Sequence, residues 1–322
     1  MVAKRHHYLP QCYLKAFSKP KKRGRVQAIQ VYDRAGKTFN TNIINIATEK
    51  DFNRVNIEGQ PQDVFEQGVA KFEAELAPAL TRIIESKSLK DEKDKHLLLN
   101  FIAAASVRVP RQREQLRDFH EQIAYAILEL AIATPERWEG QKKQMAEKGI
   151  VLGNDVPYEE LRKSILDRTF RLELANEWQI DLEMTGMDAI LPTLMNRKWK
   201  ILVAPQDSPG FVTSDYPVAL MFSDPAMRGG FYGPGHGMPG TEVVFPVSNR
   251  LALVGTFEGK DESINVDADT VASVNGALVA YCDRQVYAPS PDFTYSRQNN
   301  EQPRQGASVL NDIHFLSDKK KK

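Results

Sequence analysis

The residues here best suited to moving protons crowd into one short run, KRHHYLPQCYLKAF, from Lys4 to Phe17. It holds two of the chain's six histidines, His6 and His7, with Tyr8, Gln11 and Tyr13 close behind. Histidine titrates near neutral pH and is the commonest metal ligand, so an adjacent pair raises the prospect of acid-base or metal chemistry. Neighbouring side chains on an extended strand point to opposite faces, which disfavours both rings gripping one ion. The expectation is one working histidine and one structural partner.

Two further stretches could complete such a site. In VRVPRQR, Arg108 and Arg111 stand three residues apart and would fork around a phosphate or carboxylate, provided the helix continues through Pro110. The competing reading is a salt bridge to Glu114 or to an acidic neighbouring helix. In FVTSDYP, Asp215 follows Ser214 at a strand-to-loop corner, where sheets present reactive groups. The competing reading is an Asx-turn in which its carboxylate bonds nearby backbone N–H groups.

Taken as a set, His6, His7 and Asp215 are the catalytic candidates, and Arg5, Arg108 and Arg111 the phosphate-binding ones. Tyr8, Gln11, Tyr13 and Ser214 support them. A histidine with Asp215 could hold a hydrolytic metal, but so few ligands favour a metal-free site or weakly held Mg²⁺ over tightly bound zinc, and the cofactor stays unassigned. His236, in the glycine-rich RGGFYGPGHGMPG, reads as a loop residue. That loop lacks the spacing of a phosphate loop, and no Gly-x-Ser-x-Gly elbow occurs.

The elements that must position these groups change character along the chain. Pro10 opens a short helix on which Tyr13, Leu14 and Phe17 share a face. A hairpin follows, with its turn at Asp33 to Gly36. From Gln62 to about Met195 the periodicity is helical. Phe65, Val69, Phe72, Leu76, Leu80 and Ile83 stripe the first long helix, and further helices are expected over about 94–107, 110–133 and 158–195. Leu116, Phe119, Ile123, Ile127 and Leu130 recur at spacings of three and four on the third, and the fourth should break near Gly186 or Pro192. After Arg197, short β-rich runs (WKILVA, PVALMF, TEVVFPVS, LALVGTF) alternate with Gly and Pro, and a helix over about 268–281 precedes a last strand, RQVYAP. The fold class is α+β: a helical middle packed with amino-terminal strands and a carboxy-terminal mixed or antiparallel sheet. The segments are 1–60, 61–197, 198–290 and a tail over 291–322, integrated in one domain.

With 43 Lys and Arg against 42 Asp and Glu, the net charge of +1 gives no general attraction to nucleic acid or membrane. The balance is local: no carboxylate precedes Asp33, and Lys4, Arg5, Lys19, Lys21, Lys22 and Arg23 form a basic cluster that could meet a phosphate backbone. Cys12 and Cys282 make neither a zinc cage nor an announced disulfide. No secretory signal and no run of about 20 apolar residues is found, so the expectation is a cytoplasmic protein without a membrane partner.

His6-His7-Tyr8-x-Pro10-x-x-Tyr13-Leu14-x-x-Phe17, Arg108-x-Pro110-Arg111, Phe211-x-Thr213-Ser214-Asp215-x-Pro217 and Phe245-Pro246 together resemble the bacterial family of unknown function 4238 over about residues 4–290. Cys12 departs from it, since relatives commonly carry an aromatic there. The resemblance implies no reaction, but some members look like single-gene defences against bacteriophage. The resulting expectation is a defence effector that hydrolyses phosphodiesters in nucleic acid. The alternative is a non-enzymatic module that senses a nucleotide, nucleic acid or viral ligand. The oligomeric state is left open.

Overall fold

The computed structural model describes residues 5–19, 28–150, 156–170, 174–227, 230, 232–297 and 302–312. Of the basic cluster, Lys4, Lys21, Lys22 and Arg23 lie outside the described residues. The chain divides into two compact units, one of residues 1–110 with 180–322 and one of residues 111–179.

In the first unit, β1 (Arg5–His7) pairs antiparallel with β4 (Thr48–Lys50), setting His6 opposite Glu49. Pro10 caps α1 (Gln11–Lys15), and Tyr13, Leu14 and Phe17 are fully buried, as their spacing predicts. Tyr13 is the pin of this segment. Its ring lies 5.0–5.3 Å from those of Phe17, Phe101 and Phe245, and its hydroxyl shares a 2.6 Å hydrogen bond with Thr213 Oγ1. A buried hydroxyl without such a partner would cost about 1–3 kcal/mol, so the bond and the aromatic packing act together.

The hairpin of β2 (Ala28–Asp33) and β3 (Lys37–Asn42) turns where Asp33 Oδ1 accepts the Ala35 N–H and Gly36 adopts a φ of +82°. Its inner strand β2 pairs with β11 (Gln285–Ala288), which pairs in turn with the short β6 (Thr213–Ser214). A second sheet has the order β10-β5-β9-β8-β7, built from β5 (Lys198–Val203), β7 (Ala219–Phe222), β8 (Thr241–Pro246), β9 (Leu251–Thr256) and β10 (Glu262–Asn265). Every pairing in it is antiparallel except that of β10 with β5. Two long helices, α2 (Val64–Ser86) and α3 (Glu92–Val107), join the same core as α1 and the second sheet, through Leu76, Leu80, Ile83, Leu98, Phe101 and Ile102. A later helix, α8 (Ala268–Tyr281), belongs to a second core with Phe211, Val286 and Phe293. The α+β class therefore holds.

The second unit contains α4 from Arg111 onward (helix Pro110–Ala131), α5 (Pro135–Glu147), α6 (Tyr158–Leu166) and the start of α7 (Asn176–Met195). Several sequence expectations meet the structure here. On α4 the apolar residues Phe119, Ile123, Ile127 and Leu130 recur at helical spacing as expected but are exposed, and the helix buries Arg113 and Tyr125. Periodicity reveals a face but not which way it turns. The opposite face is held inward by polar contacts, with the Tyr125 hydroxyl donating to the Phe170 carbonyl and the Arg168 guanidinium lying 4.8 Å from the Tyr125 ring.

The expected break at Gly186 or Pro192 also falls elsewhere. Both residues lie inside α7, and the chain leaves helix after α6, where Arg168 takes a φ of +50°. Gly186 serves packing instead, because a Cβ there would approach Val107 Cγ1 to 3.3 Å. Residues 291–312, read from sequence as tail, carry β12 (Thr294–Tyr295) paired with β13 (Arg304–Gln305), and Phe293, Tyr295 and Val309 are buried. Helix α5 and strand β10 were not anticipated.

A buried arginine fastens the glycine-rich loop to the second sheet. Arg197 is 1% exposed and donates to the carbonyls of Thr241 (2.7 Å), Gly255 (2.9 Å) and His236 (2.7 Å) and to Thr241 Oγ1 (2.9 Å). Burial lowers its pKa to about 10, and Phe257 covers the guanidinium at 4.2 Å. Because several acceptors depend on one side chain, Arg197→Met should destabilise the protein by about 3 kcal/mol or more. Thermal unfolding checks this, and an unchanged midpoint would refute it.

Candidate functional site

The motif HHY divides its side chains between two buried polar clusters. Alternation along β1 leaves Arg5 exposed and turns His6 inward, where it is 1% exposed. The backbone N–H of Asn53, in the turn after β4, donates to His6 Nδ1 at 3.1 Å. With Nδ1 accepting, the ring proton sits on Nε2. That nitrogen is buried and has no hydrogen-bond acceptor among the described residues. In this tautomer His6 Nε2 carries the proton and can donate a hydrogen bond.

Asn53 uses its side chain as fully as its backbone. Its Oδ1 accepts from Arg108 Nη2 at 2.8 Å and its Nδ2 donates to Glu66 Oε2 at 2.5 Å. Arg108, the residue that ends α3, also donates through Nε to the buried Glu183 at 3.3 Å and lies over the Phe65 ring at 4.9 Å. One turn-residue thus joins β1, α2 and the end of α3.

Two titrating groups border this cluster. Glu73 stands two helical turns beyond Glu66 on the same side of α2, and burial raises its pKa to about 7, with Glu66 adding to the rise and Arg108 opposing it. Burial lowers the pKa of His7, against the influence of the Ile43 carbonyl and the Glu66 charge, so its ring is neutral at pH 7.

The second cluster surrounds Asp215. Its two carboxylate oxygens accept the backbone N–H groups of Asp283 (2.9 Å) and Arg284 (2.7 Å), and its own N–H donates to the Gln285 carbonyl at 3.0 Å. Ser214 Oγ donates to the Tyr216 carbonyl and accepts the Tyr216 N–H. These bonds tie the end of β6 to the start of β11, the corner role that competed with catalysis in the sequence. Burial raises Asp215 to about 7 despite the amide donors. Tyr8 and Tyr287 are hydrogen-bonded to each other, and both hydroxyls are held well above their ordinary pKa, first by burial and with the charge of Asp215 contributing. Arg284 reaches Glu49 on β4 at 3.1 Å.

Of the sequence candidates, then, Asn53 joins His6 to Arg108, and Tyr8 lies with Asp215. Tyr13 packs in the core, Gln11 and Arg5 are exposed, and Arg5 donates to Thr48 Oγ1 at 2.7 Å. Arg111 belongs to the other unit. Sequence reasoning missed Asn53, Glu66, Glu73 and Glu183. The spacing of Glu66 and Glu73 along the edge of an apolar stripe was a usable signal, whereas Asn53 and Glu183 carried none. Cys12 has its thiol pushed up to about 11 by burial, which keeps it protonated. No group of three or more His, Cys, Asp or Glu side chains suited to a metal ion is present among the described residues. A separate cleft of about 670 Å³, bordered by Met221, Phe222, Glu242, Thr270, Tyr281 and Arg297, includes none of the sequence candidates.

The family model Protein of unknown function (DUF4238) matches residues 5–292. The chain belongs to that family. No curated protein and no solved structure matches it. Among the described residues, no helix is long and apolar enough to cross a membrane.

The Asp215 corner yields a stability prediction. Asn cannot replace this carboxylate cleanly, since it offers one acceptor oxygen to two amide donors and turns its NH₂ toward the other. Asp215→Asn should cost about 1–3 kcal/mol. The folded-state pKa of about 7 lies above the ordinary 3.8, so the stability contributed by protonated Asp215 is complete at low pH and is lost as pH rises through about 7. Glu73 acts with the same sign. Unfolding midpoints should therefore fall as pH rises from the ordinary carboxyl values of 3.8 and 4.5 to about 7 in the natural protein and level off above that, with a shallower fall in Asp215→Asn and Glu73→Gln. Parallel curves for all three would contradict the assignment.

Proposed function

We propose that this protein is a phosphodiester hydrolase acting on nucleic acid in the cytoplasm, as an effector of bacterial defence against phage. In this reading His7 accepts a proton from the attacking water. Glu73 delivers one to the leaving oxygen, and His6 Nε2–H and Arg108 hydrogen-bond the phosphoryl oxygens as negative charge grows on them. The observation that carries the proposal is the buried His6 Nε2–H with no acceptor among the described residues. A donor of that kind suits an anionic oxygen; Asn53 links its ring to the Arg108 guanidinium, and His7 and Glu73 each interact with Glu66 of the same cluster. Asp215 serves as the corner that orders Tyr8 and β11, not as the base. The defence role rests on the resemblance of some family members to anti-phage proteins.

A second reading is supported by Arg108 itself. Its guanidinium already holds Asn53 and Glu183, and Glu66 and Glu73 add further negative charge nearby. A phosphate would compete with these partners, so the cluster could bind a ligand and switch a partner without cleaving anything. This is the sensor reading.

Hydrolysis of single- and double-stranded DNA and RNA by the purified protein separates the two. The hydrolase reading predicts a narrow bell-shaped profile. Activity rises as His7 deprotonates at its lowered pKa and declines as Glu73 loses its proton through about 7. Glu73→Gln and His7→Asn should each reduce the rate by about 10²–10⁴-fold. Saturable binding with no cleavage of any substrate would favour the sensor. Neither binding nor cleavage would reject both.

A further inference from the structure

The cleft between α8 and the second sheet has no part in the site described above. Its floor is aliphatic: Leu202, Val254, Val244 and Met221 come from the neighbouring strands β5, β9, β8 and β7 and project on the side of the second core. Its other wall is the face of α8 that carries Ser273, Ala277 and Ala280, at spacings of four and three. Side chains this short leave the gap unfilled, and α8 is held too firmly to close it. Buried Asn275 accepts the Val212 N–H at 2.9 Å and donates to the carbonyls of Gly210 (3.1 Å) and Thr294 (2.8 Å). The Ser296 N–H donates to the Ala272 carbonyl at 2.8 Å, and a Cβ on Gly276 would lie 1.7 Å from the Ser296 carbonyl oxygen, so that side of the helix is already in contact. The space of about 670 Å³ is therefore built into the fold, and it falls within the roughly 300–1,000 Å³ of small-molecule sites.

We propose that this cleft binds a small aromatic molecule that carries an acidic group and an N–H. Three features of the lining select that chemistry. Phe222, Tyr232 and Tyr281 add aromatic rings to the aliphatic floor, and a flat ring packs well against both. Arg297 brings a guanidinium, whose planar fork matches a carboxylate, sulfonate or phosphate. Its Nη1 lies 3.7 Å from Asp312, a carboxylate that also meets Arg304 at 3.4 Å and accepts the Tyr295 hydroxyl. Glu242, set beside Met221 in the pairing of β7 with β8, repels an acidic group and accepts an N–H.

The two charges also orient the ligand. Glu242 belongs to the sheet, whereas Arg297 follows Ser296, which is bonded to α8, so the N–H turns toward the sheet and the acid toward the helix side. Both side chains keep their present partners and share them with the ligand, since a carboxylate offers about four lone-pair sites and a guanidinium five N–H donors.

Fluorescence titration of the full chain with anilinonaphthalene sulfonate tests this, because that probe combines aromatic rings, an N–H and a sulfonate. The expected result is saturable binding at a single site with enhanced, blue-shifted emission. Ala277→Phe, which fills the gap, should weaken it by at least tenfold. The neutral probe N-phenylnaphthylamine keeps the rings and the N–H but lacks the sulfonate. Arg297→Gln should weaken the sulfonate probe by about tenfold and leave the neutral one unchanged. That comparison keeps the test decisive if Ala277→Phe fails to fold. No saturable binding of the sulfonate probe by the natural protein would overturn the proposal. So would an equal effect of Arg297→Gln on both probes, or binding that survives Ala277→Phe but is lost in Ile123→Glu, on the exposed face of α4.

Discussion

Asn53 is the joint on which the candidate site depends. Its backbone N–H fixes the tautomer of His6, its side-chain oxygen receives Arg108, and its amide nitrogen holds Glu66. It is fully buried, and a buried polar network is stable only when its members are satisfied. Asn suits the position because it supplies a donor and an acceptor on one short side chain. Asp would lose the donor to Glu66 and set two carboxylates together. The consequence is that a strand, the face of one helix and the end of another are fixed relative to each other by a single residue in a turn.

That constraint leaves His6 Nε2 as the ring nitrogen that carries the proton. Among the described residues His6 Nε2 is buried without an acceptor, and so is Nε2 of the adjacent His7 without a partner. Leaving a buried donor unpaired costs about 1–3 kcal/mol, so His6 Nε2 is the point at which the cluster could take a further acceptor. The adjacent Tyr8 goes the other way, into the corner built by Asp215 and the first residues of β11. The motif HHY therefore joins two buried polar clusters, one around Asn53 and one around Asp215. Tyr13, a few residues on, pins the same segment to the core through Thr213.

Much of this fold was legible in the sequence because burial and periodicity coincide where helices meet the main core. The α+β class, α2, α3, α8, most strands of the sheet after Arg197 and the buried face of α1 all follow from spacing. Legibility ended where polar contacts decide orientation. On α4 the apolar stripe faces out, because Tyr125 and Arg113 hold the opposite side inward. The site was half legible: His6, Arg108 and Asp215 announce themselves by type. Asn53 and Glu183 do not, because their roles come from contacts spanning 47 to 75 residues that no local pattern records. Arg197 escaped for the same reason, its partners being backbone carbonyls of three separate segments.

The tautomer of His6 is the most direct test of the account, because the donor role follows from it alone. Long-range ¹H–¹⁵N correlation spectra of protein labelled in its histidine rings, with His6→Gln used to assign the signal, report which nitrogen carries the proton. The account predicts a protonated Nε2 and an unprotonated, hydrogen-bonded Nδ1, with the Nε2 signal shifting when an oxyanion such as phosphate is added. A proton on Nδ1, or an Nε2 signal indifferent to every oxyanion, would contradict it.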